Sequence, residues 1–371
     1  MRQRRLALAA ILVGVLAVIV AVAAASGGGG CSSSPRPGPL SNSHRGHPVA
    51  RPGQHAVSPA GPRLHAQEVG SLPAPVQNPA TTALDSSTAS AAGTGGASSG
   101  ATGATGAGSG GQALLMGGLS SVDVSVAGIE RIQLGASPVA STSGSLPSAI
   151  HDAAAATLRG TAYFFGGGDQ TDSSQILRVS ADGSTTTAGN LPSQASDVAA
   201  TAVGDTAYVV GGYNGSAAID SIVAFSPSAA AHVVGHLPQA LRYPAVTGVG
   251  GQIIIIGGTS DAGATRTILD FDPSSGQVRR LGMLPRALTH ASAGVLGGTV
   301  FVLGGRGTAL GSQTRQIVAI DPHTGQTTSG GMLPRALSDT GAATLSDRIL
   351  LAGGRDPAGQ VRAEIYVLRR R

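Results

Sequence analysis

The sequence of 371 residues contains one cysteine, no tryptophan and no lysine, and its 24 basic residues are all arginine. A lone cysteine, Cys31, excludes an internal disulfide framework and any metal site built on several cysteines. Aromatic residues are limited to 5 Tyr and 5 Phe, whereas Gly (57) and Pro (21) are abundant. This balance indicates many turns or a disordered stretch, and a core packed from aliphatic side chains.

The net charge of +5 is unevenly distributed along the chain. Residues 1–71 hold 7 Arg and one acid, Glu68, whereas residues 72–371 hold 17 Arg and 18 Asp or Glu. Binding to nucleic acid requires a clustered basic surface. The nearly balanced charge after residue 71 therefore predicts no nucleic-acid partner.

The N-terminus has the pattern of a membrane-targeting segment. Arg2, Arg4 and Arg5 precede an uncharged run from Leu6 to Ala25, and a helix of about 20 residues spans the roughly 30 Å of a bilayer core. Residues 1–25 are therefore interpreted as a basic region followed by a transmembrane signal anchor. The alternative is a signal peptide that is cleaved after the small residues 23–25. Both interpretations place the rest of the chain outside the cytoplasm.

Residues 26–53 are rich in Ser, Gly, Pro and His and show no apolar period. Such a composition predicts a disordered linker. Cys31 within it allows a second interpretation, a lipidated cysteine, although Gly28–Gly30 stand where lipidation sites usually carry Leu-Ala-Gly.

Two dipeptides recur along the remaining sequence, residues 54–371. Leu-Pro occurs at 72–73, 146–147, 191–192, 237–238, 284–285 and 333–334. The glycine pairs are Gly117 and Gly118, Gly166 and Gly167, Gly211 and Gly212, Gly257 and Gly258, Gly304 and Gly305, and Gly353 and Gly354. The distance from proline to the first glycine is 19 residues in five of the six units. A constant period of this kind is typical of repeat proteins.

The first unit differs because a low-complexity stretch interrupts it. Its opening residues 72–84 resemble those of the other units, and residues 113–118 resume the pattern after a Ser/Thr/Gly/Ala run at about 85–111. We interpret this run as an insertion of about 25 residues in one loop, which loop-closure entropy tolerates.

Each unit contains four short strand signals. In the fourth unit these are Ala245–Val249, Gln252–Ile256, Thr267–Phe271 and Gln277–Leu281, separated by Gly, Pro and Asp turns. Four strands at a unit spacing of 45–49 residues predict an all-β protein, a six-bladed β-propeller with four strands per blade. The glycine pairs would allow positive φ and a close approach of neighbouring backbones. Small residues such as Ala153–Ala156 would fit where the inner strands of the blades converge on the propeller axis.

The last unit lacks a fourth strand signal before the chain ends. Residues 64–70 lie immediately before the first Leu-Pro, where the other units have their fourth strand. The N-terminal segment is therefore predicted to complete the C-terminal blade and to remove the open sheet edges.

The units resemble Kelch repeats over about residues 64–371. The shared features are the Gly-Gly pair after the second strand (Tyr208–Gly212, Phe301–Gly305), the Asp-Pro turn, and the Leu-Pro start. Kelch units usually carry a tryptophan after the third strand, which this chain lacks, so its blades must pack on Val, Ile, Leu and Ala.

The resemblance implies that the loops after Gly-Gly and after Leu-Pro emerge on one face, which usually binds partners. The candidates on the first set of loops are Asp169, Tyr213, Asn214, Arg306 and Arg355. The second set supplies His151, Asp152, Arg242, Tyr243, Arg286, His290, Arg335 and Asp339. A ring of arginines would favour an acidic peptide or an anionic glycan. The alternative is that Arg286 and Arg335, repeated in Leu-Pro-Arg-Ala-Leu, are framework residues.

Three functions are compatible with these observations. The first is a membrane-tethered binding or scaffold module outside the cytoplasm, with a protein or glycan partner. The second is an enzyme acting on a carbohydrate or another small molecule, since epimerase-like propellers use Arg and acidic groups on this face. A cleft with paired acids and shifted pKa values would support it. The third is an accessory subunit of a cell-envelope complex. No catalytic motif, metal-ligand cluster or cofactor site is expected from the spacing.

Overall fold

The computed structural model describes residues 61–84, 111–135 and 138–371. The segment 1–25, the linker 26–53, Cys31 and nearly all of the insertion lie outside the described residues. Within the described ranges the secondary structure is entirely β, and no helix there is long and apolar enough to cross a membrane.

The strands form six antiparallel sheets, which we number as blades in chain order. The first strand of the described residues is β1 (Leu64–Ser71). Blade 1 contains β2 (Ala80–Ala83), β3 (Gln112–Met116), β4 (Gly128–Gln133) and β5 (Val139–Ser145). Blade 2 contains β6 (Ala154–Leu158), β7 (Thr161–Phe165), β8 (Gln175–Val179) and β9 (Thr185–Asn190). Blade 3 contains β10 (Ala199–Val203), β11 (Thr206–Val210), β12 (Ser221–Ser226) and β13 (Ala229–His236).

The remaining three blades repeat this order. Blade 4 contains β14 (Ala245–Val249), β15 (Gln252–Ile256), the short β16 (Thr259–Ser260), β17 (Gly263–Asp272) and β18 (Gln277–Leu288). Blade 5 contains β19 (Ser292–Leu296), β20 (Thr299–Leu303), β21 (Gln316–Ile320) and β22 (Thr327–Met332). Blade 6 contains β23 (Gly341–Leu345), β24 (Arg348–Ala352) and β25 (Glu364–Arg370), followed by β1 at its outer edge. The predicted six-bladed propeller is confirmed.

Two strand boundaries in blade 4 differ from the sequence prediction. β17 begins at Gly263 because β16 pairs with its first residues, Thr259 opposite Ala264. β18 continues through Leu-Pro to Leu288, which lies opposite Thr265. The hairpin therefore extends before the predicted start of the third strand at Thr267 and beyond the predicted end of the fourth at Leu281.

The N-terminal strand closes the ring as predicted. β1 runs antiparallel to β25, from Leu64 opposite Arg370 to Ser71 opposite Glu364, with a bulge between Glu68 and Gly70. Blade 6 thus combines the two ends of the described chain in one sheet.

The glycine pairs hold neighbouring blades together. Both glycines of each pair have positive φ. The second donates its N–H over 2.8–2.9 Å to the carbonyl four residues after the leucine of the next Leu-Pro, in the segment that leads into the next blade. The six bonds are Gly118 to Ile150, Gly167 to Ala195, Gly212 to Leu241, Gly258 to Leu288, Gly305 to Leu337 and Gly354 to Val76. The last of them joins blade 6 to blade 1.

The core is divided among the blade interfaces. Six clusters of buried apolar residues each join two adjacent blades, and the leucine of each Leu-Pro is at most 6% exposed. The clusters between blades 6 and 1 and between blades 4 and 5 consist of Val, Ile, Leu and Ala alone. The other four clusters also contain Phe, Tyr or Met, so the predicted packing on Val, Ile, Leu and Ala holds in full at two of the six interfaces.

Deleting residues 86–110 is expected to leave the fold intact. Leu84 N–H bonds to Gln112 O over 2.8 Å, so the β2–β3 hairpin is already closed at its end. The deletion leaves Asp85-Gly111 as a two-residue connection, like Arg159-Gly160 in blade 2, whose φ values are 50° and 75°. Asp-Gly favours such a turn. The melting temperature should change by no more than about 3 °C; a fall of about 10 °C would show that the insertion is structural.

Candidate functional site

Six residues, one per blade, form a ring where the inner strands begin. Each stands six residues after the leucine of Leu-Pro and has positive φ: Asn78 (52°), Asp152 (56°), Asp197 (57°), Tyr243 (51°), His290 (54°) and Asp339 (61°). Asn and Asp tolerate this left-handed conformation better than most residues, whereas Tyr and His need the surrounding structure to hold them. Here Tyr243 N–H bonds to Asp197 O over 2.9 Å, and Asp339 N–H to His290 O over 3.0 Å.

The ring residues and those that follow them line a cavity of about 120 Å³. The inner strands that lead away from it are joined by hydroxyl groups, for example Thr82 Oγ1 with Thr157 Oγ1 over 2.9 Å. Gly248 N–H likewise bonds to Thr201 Oγ1 over 2.9 Å. The cavity is therefore a polar depression at the convergence of all six blades.

One side of the cavity carries a buried pair of carboxyl groups. The Asp152 side chain is 8% exposed and that of Asp197 is 3% exposed. Tyr243 donates its hydroxyl to Asp152 Oδ2 over 2.9 Å, and Arg242 donates Nε–H to Asp197 Oδ2. The guanidinium of Arg242 also lies 4.5 Å from the centre of the Tyr213 ring. Three blades thus contribute to one hydrogen-bonded network.

Burial and the negative charge of Asp197 raise the pKa of Asp152 well above its usual range. Burial and the charge of Asp152 also raise the pKa of Tyr243. Like charges at close range disfavour double ionisation. The site therefore favours the protonated form of Asp152, while Asp197 accepts a hydrogen bond from Arg242.

The other side of the cavity is built around a neutral imidazole. His290 stacks on Tyr243 with ring centres 3.8 Å apart, and its pKa is lowered well below the usual range by burial and by the charge of Arg306. Arg306 Nη2 donates to His290 Nε2 over 3.2 Å, so the imidazole proton resides on Nδ1, which faces Thr289 Oγ1 at 3.0 Å. Burial raises the pKa of Asp339 to about 6, against the hydrogen bond from Ser338.

The structure shows where the candidate arginines lie. Arg242 and Arg306 contact the ring, while Arg355 donates to Asp123 Oδ1 over 3.2 Å. Arg335 lies 4.0 Å from Asp356 and 3.8 Å from Glu364. Arg286 is exposed and makes no ion pair within the described residues. Apart from Arg286, the candidate arginines are therefore paired with acids or carbonyls rather than converging on the cavity.

The three remaining candidates occupy the loops after Gly-Gly. Tyr213 donates its hydroxyl to Gly215 O over 3.1 Å, and Asn214 Oδ1 accepts from Ser216 and Ala217 in a local turn. Asp169 Oδ1 accepts from Ser125 Oγ over 2.7 Å, and the same hydroxyl lies 2.9 Å from His151 Nδ1. These residues shape the loops around the cavity.

Both sets of loops meet at the same edge of each blade. Isolated antiparallel bridges join a residue before the inner strand to a residue after Gly-Gly in every blade. The pairs are Gln77 with Leu119, His151 with Gly168, Ser196 with Tyr213, Arg242 with Thr259, Thr289 with Arg306, and Ser338 with Arg355. The twelve loops therefore form one continuous surface around the cavity.

Sequence reasoning missed four residues of this site: Asn78, Asp123, Asp197 and Gln77. A signal for two of them was present, because aligning the units on Leu-Pro places a polar or aromatic residue six positions after every leucine. Gln77 has a repeat signal as well, because it stands five positions after Leu72, as His151 and Arg242 do after their leucines. Asp123 has none, and its part in the site is seen only from the contact that Arg355 makes with it.

The fold and the site define a six-bladed β-propeller with a polar cavity at its axis. Comparison with protein-family models and with curated proteins finds no match. Among solved structures the chain is similar to the one titled "Structure of YjhT", with a TM-score of 0.63 and 14% sequence identity over 81% of this chain and 96% of that chain. At this identity the likeness shows the fold alone.

Proposed function

We propose that the protein is a Kelch-type binding or scaffold module, tethered to the membrane through residues 6–25 and exposed outside the cytoplasm. The observation that carries the proposal is the continuous surface of twelve loops around a concave polar cavity. Loops held by a rigid scaffold are where binding residues concentrate, and propellers and other repeat folds use such surfaces for partners. A protein or glycan partner fits the arginine- and tyrosine-rich rim.

The Kelch assignment and the location rest on the sequence. The Gly-Gly pairs, Leu-Pro starts and Asp-Pro turns support the former, and the arginines before Leu6–Ala25 support the latter. Recovery of the uncleaved chain in membranes after an alkaline wash would support the anchor; a shortened soluble chain would favour cleavage.

The binding function is tested with the full-length chain in a glycan array and in a pull-down of cell-envelope proteins. Replacing Arg306, Arg355 and Tyr213 by alanine should weaken any specific hit by about tenfold or more. The matched control is Arg159→Ala with Asp205→Ala, which removes a surface ion pair of 2.5 Å outside the loop surface. A hit that depends on the control pair instead would contradict the assignment to this face.

An enzyme remains the second candidate, favoured by the carboxyl pair. A cleft with paired acids and raised pKa values is the arrangement expected of acid–base catalysis. Asp152 would act as the acid and Asp197 as the base on a small molecule such as a carbohydrate. Turnover that Asp197→Asn abolishes, with a pH profile that Asp152→Asn alters, would support it. An accessory role in an envelope complex would appear instead as a stable co-purifying partner.

A further inference from the structure

The cavity is lined by acids and lacks a lining cation. Among the described residues around it are three carboxyl groups, those of Asp152, Asp197 and Asp339, and no arginine. Arg242 approaches from outside and is engaged by Asp197. The imidazole of His290 is held neutral by burial and by Arg306, which lower its pKa. The polar groups that a ligand meets here are therefore mainly hydrogen-bond acceptors.

One of these acceptors has no partner. Asp152 Oδ1 is buried without a hydrogen bond from any described residue, although its side chain lines the cavity and is only 8% exposed. The other carboxyl oxygen of Asp152, Oδ2, accepts a hydrogen bond from the Tyr243 hydroxyl. A buried unpaired acceptor is costly, and a donor supplied by a ligand would remove that cost.

We propose that the axial cavity binds the protonated amine or guanidinium group of a ligand, which donates an N–H to Asp152 Oδ1. This inference rests on the proposed binding function and names the chemistry of the group that enters the site. An anion is disfavoured by the three carboxyl groups, and a cation forms an ion pair with Asp152 that a neutral hydroxyl cannot form. The stacked rings of Tyr243 and His290 add a flat wall that suits a planar or alkyl cation.

The cation competes with a proton for Asp152. Burial and the charge of Asp197 favour the protonated form of Asp152, and an entering ammonium or guanidinium group would displace that proton to solvent. The groups that face Asp152 are His151, Asp197, Tyr243 and Asp339. None of them supplies a compensating positive charge while His151, whose pKa burial lowers, stays neutral. Affinity for the cation should therefore fall as the pH is lowered.

The test uses two cationic probes and their neutral counterparts on the full-length chain. N-acetyl-Gly-Arg-Gly-amide is paired with N-acetyl-Gly-citrulline-Gly-amide, and 1,5-diaminopentane with 1,5-pentanediol. Isothermal titration calorimetry at pH 7 should show binding of a cation and no binding of its neutral partner. Repeating the titration in buffers of different ionisation enthalpy should show that protons are released when the cation binds. A preference for the tripeptide would indicate a protein side chain as the natural source, and one for the diamine a free amine.

Asp152→Asn is the decisive variant, because asparagine also tolerates the left-handed backbone at φ 56°. It should weaken binding of the cation by about 10- to 100-fold and abolish proton release. Asp205→Asn, which removes the same charge from an exposed site, should change neither quantity.

Equal binding of the charged and neutral probes, or unchanged proton release in Asp152→Asn, would overturn the inference. So would failure of both cations to bind the folded wild-type chain. If neither cation binds, a partner whose capture still depends on Arg306 and Tyr213 would support the binding function without the cation site. If no such partner is captured either, both the binding function and the inference are wrong.

Discussion

A chain from which residues 61–71 are deleted is expected to unfold at a temperature at least about 10 °C below that of the full chain. β1 contributes seven residue pairs to blade 6, and its Leu64 is 3% exposed within the cluster between blades 5 and 6. Losing these backbone hydrogen bonds and this buried leucine should cost more than about 5 kcal/mol. The deletion also exposes β25 as an open edge, so aggregation should accompany unfolding.

The control is a chain that begins at residue 61 and so keeps β1 while losing everything before it. Its thermal transition, followed by circular dichroism, should match that of the full chain. Addition of a peptide of residues 61–71 to the deleted chain should restore part of the loss. An unchanged melting temperature after deletion of 61–71 would contradict closure by β1.

The fold was predictable because its determinants are local and repeated. Each Gly-Gly pair supplies a positive φ and a close blade contact, and each Leu-Pro supplies a buried leucine, so the spacing of the two dipeptides encodes one blade. The closing strand could be inferred because the last unit lacks a fourth strand signal and residues 64–70 supply one. The extended blade 4 hairpin was missed because a two-residue strand such as Thr259–Ser260 leaves no pattern in the sequence.

The candidate site was only partly predictable because its contacts join residues from different blades. Arg242 and Asp197 are 45 positions apart, and Tyr243 and Asp152 are 91 apart. The sequence indicated that Asp152, Arg242 and Tyr243 share a face, but not that Asp197 engages Arg242 or that Asp152 keeps an unpaired oxygen. The sequence predicted an arginine-rich surface and therefore an anionic ligand. The structure instead has an acid-lined cavity inside that surface, for which a cationic ligand is expected.

Gly211→Ala is expected to destabilise the propeller by about 3 kcal/mol or more. Gly211 has φ +62°, and a Cβ there would stand closer than 3.0 Å to the carbonyl oxygen of Leu241 in blade 4. That carbonyl accepts the N–H of Gly212 over 2.8 Å, so relief of the clash would break the bond that joins the two blades. The melting temperature should fall by about 6 °C or more.

Gly204→Ala in the same blade separates the two causes of this loss. Gly204 has nearly the same φ, +59°, but a Cβ there would meet nothing within 4 Å. It should therefore show only the cost of a left-handed alanine, about 1 kcal/mol. The difference between the two variants in denaturant unfolding measures what close approach between blades contributes. Equal losses would mean that the glycine pairs are needed for their backbone conformation alone, and that the blades could separate slightly without harm.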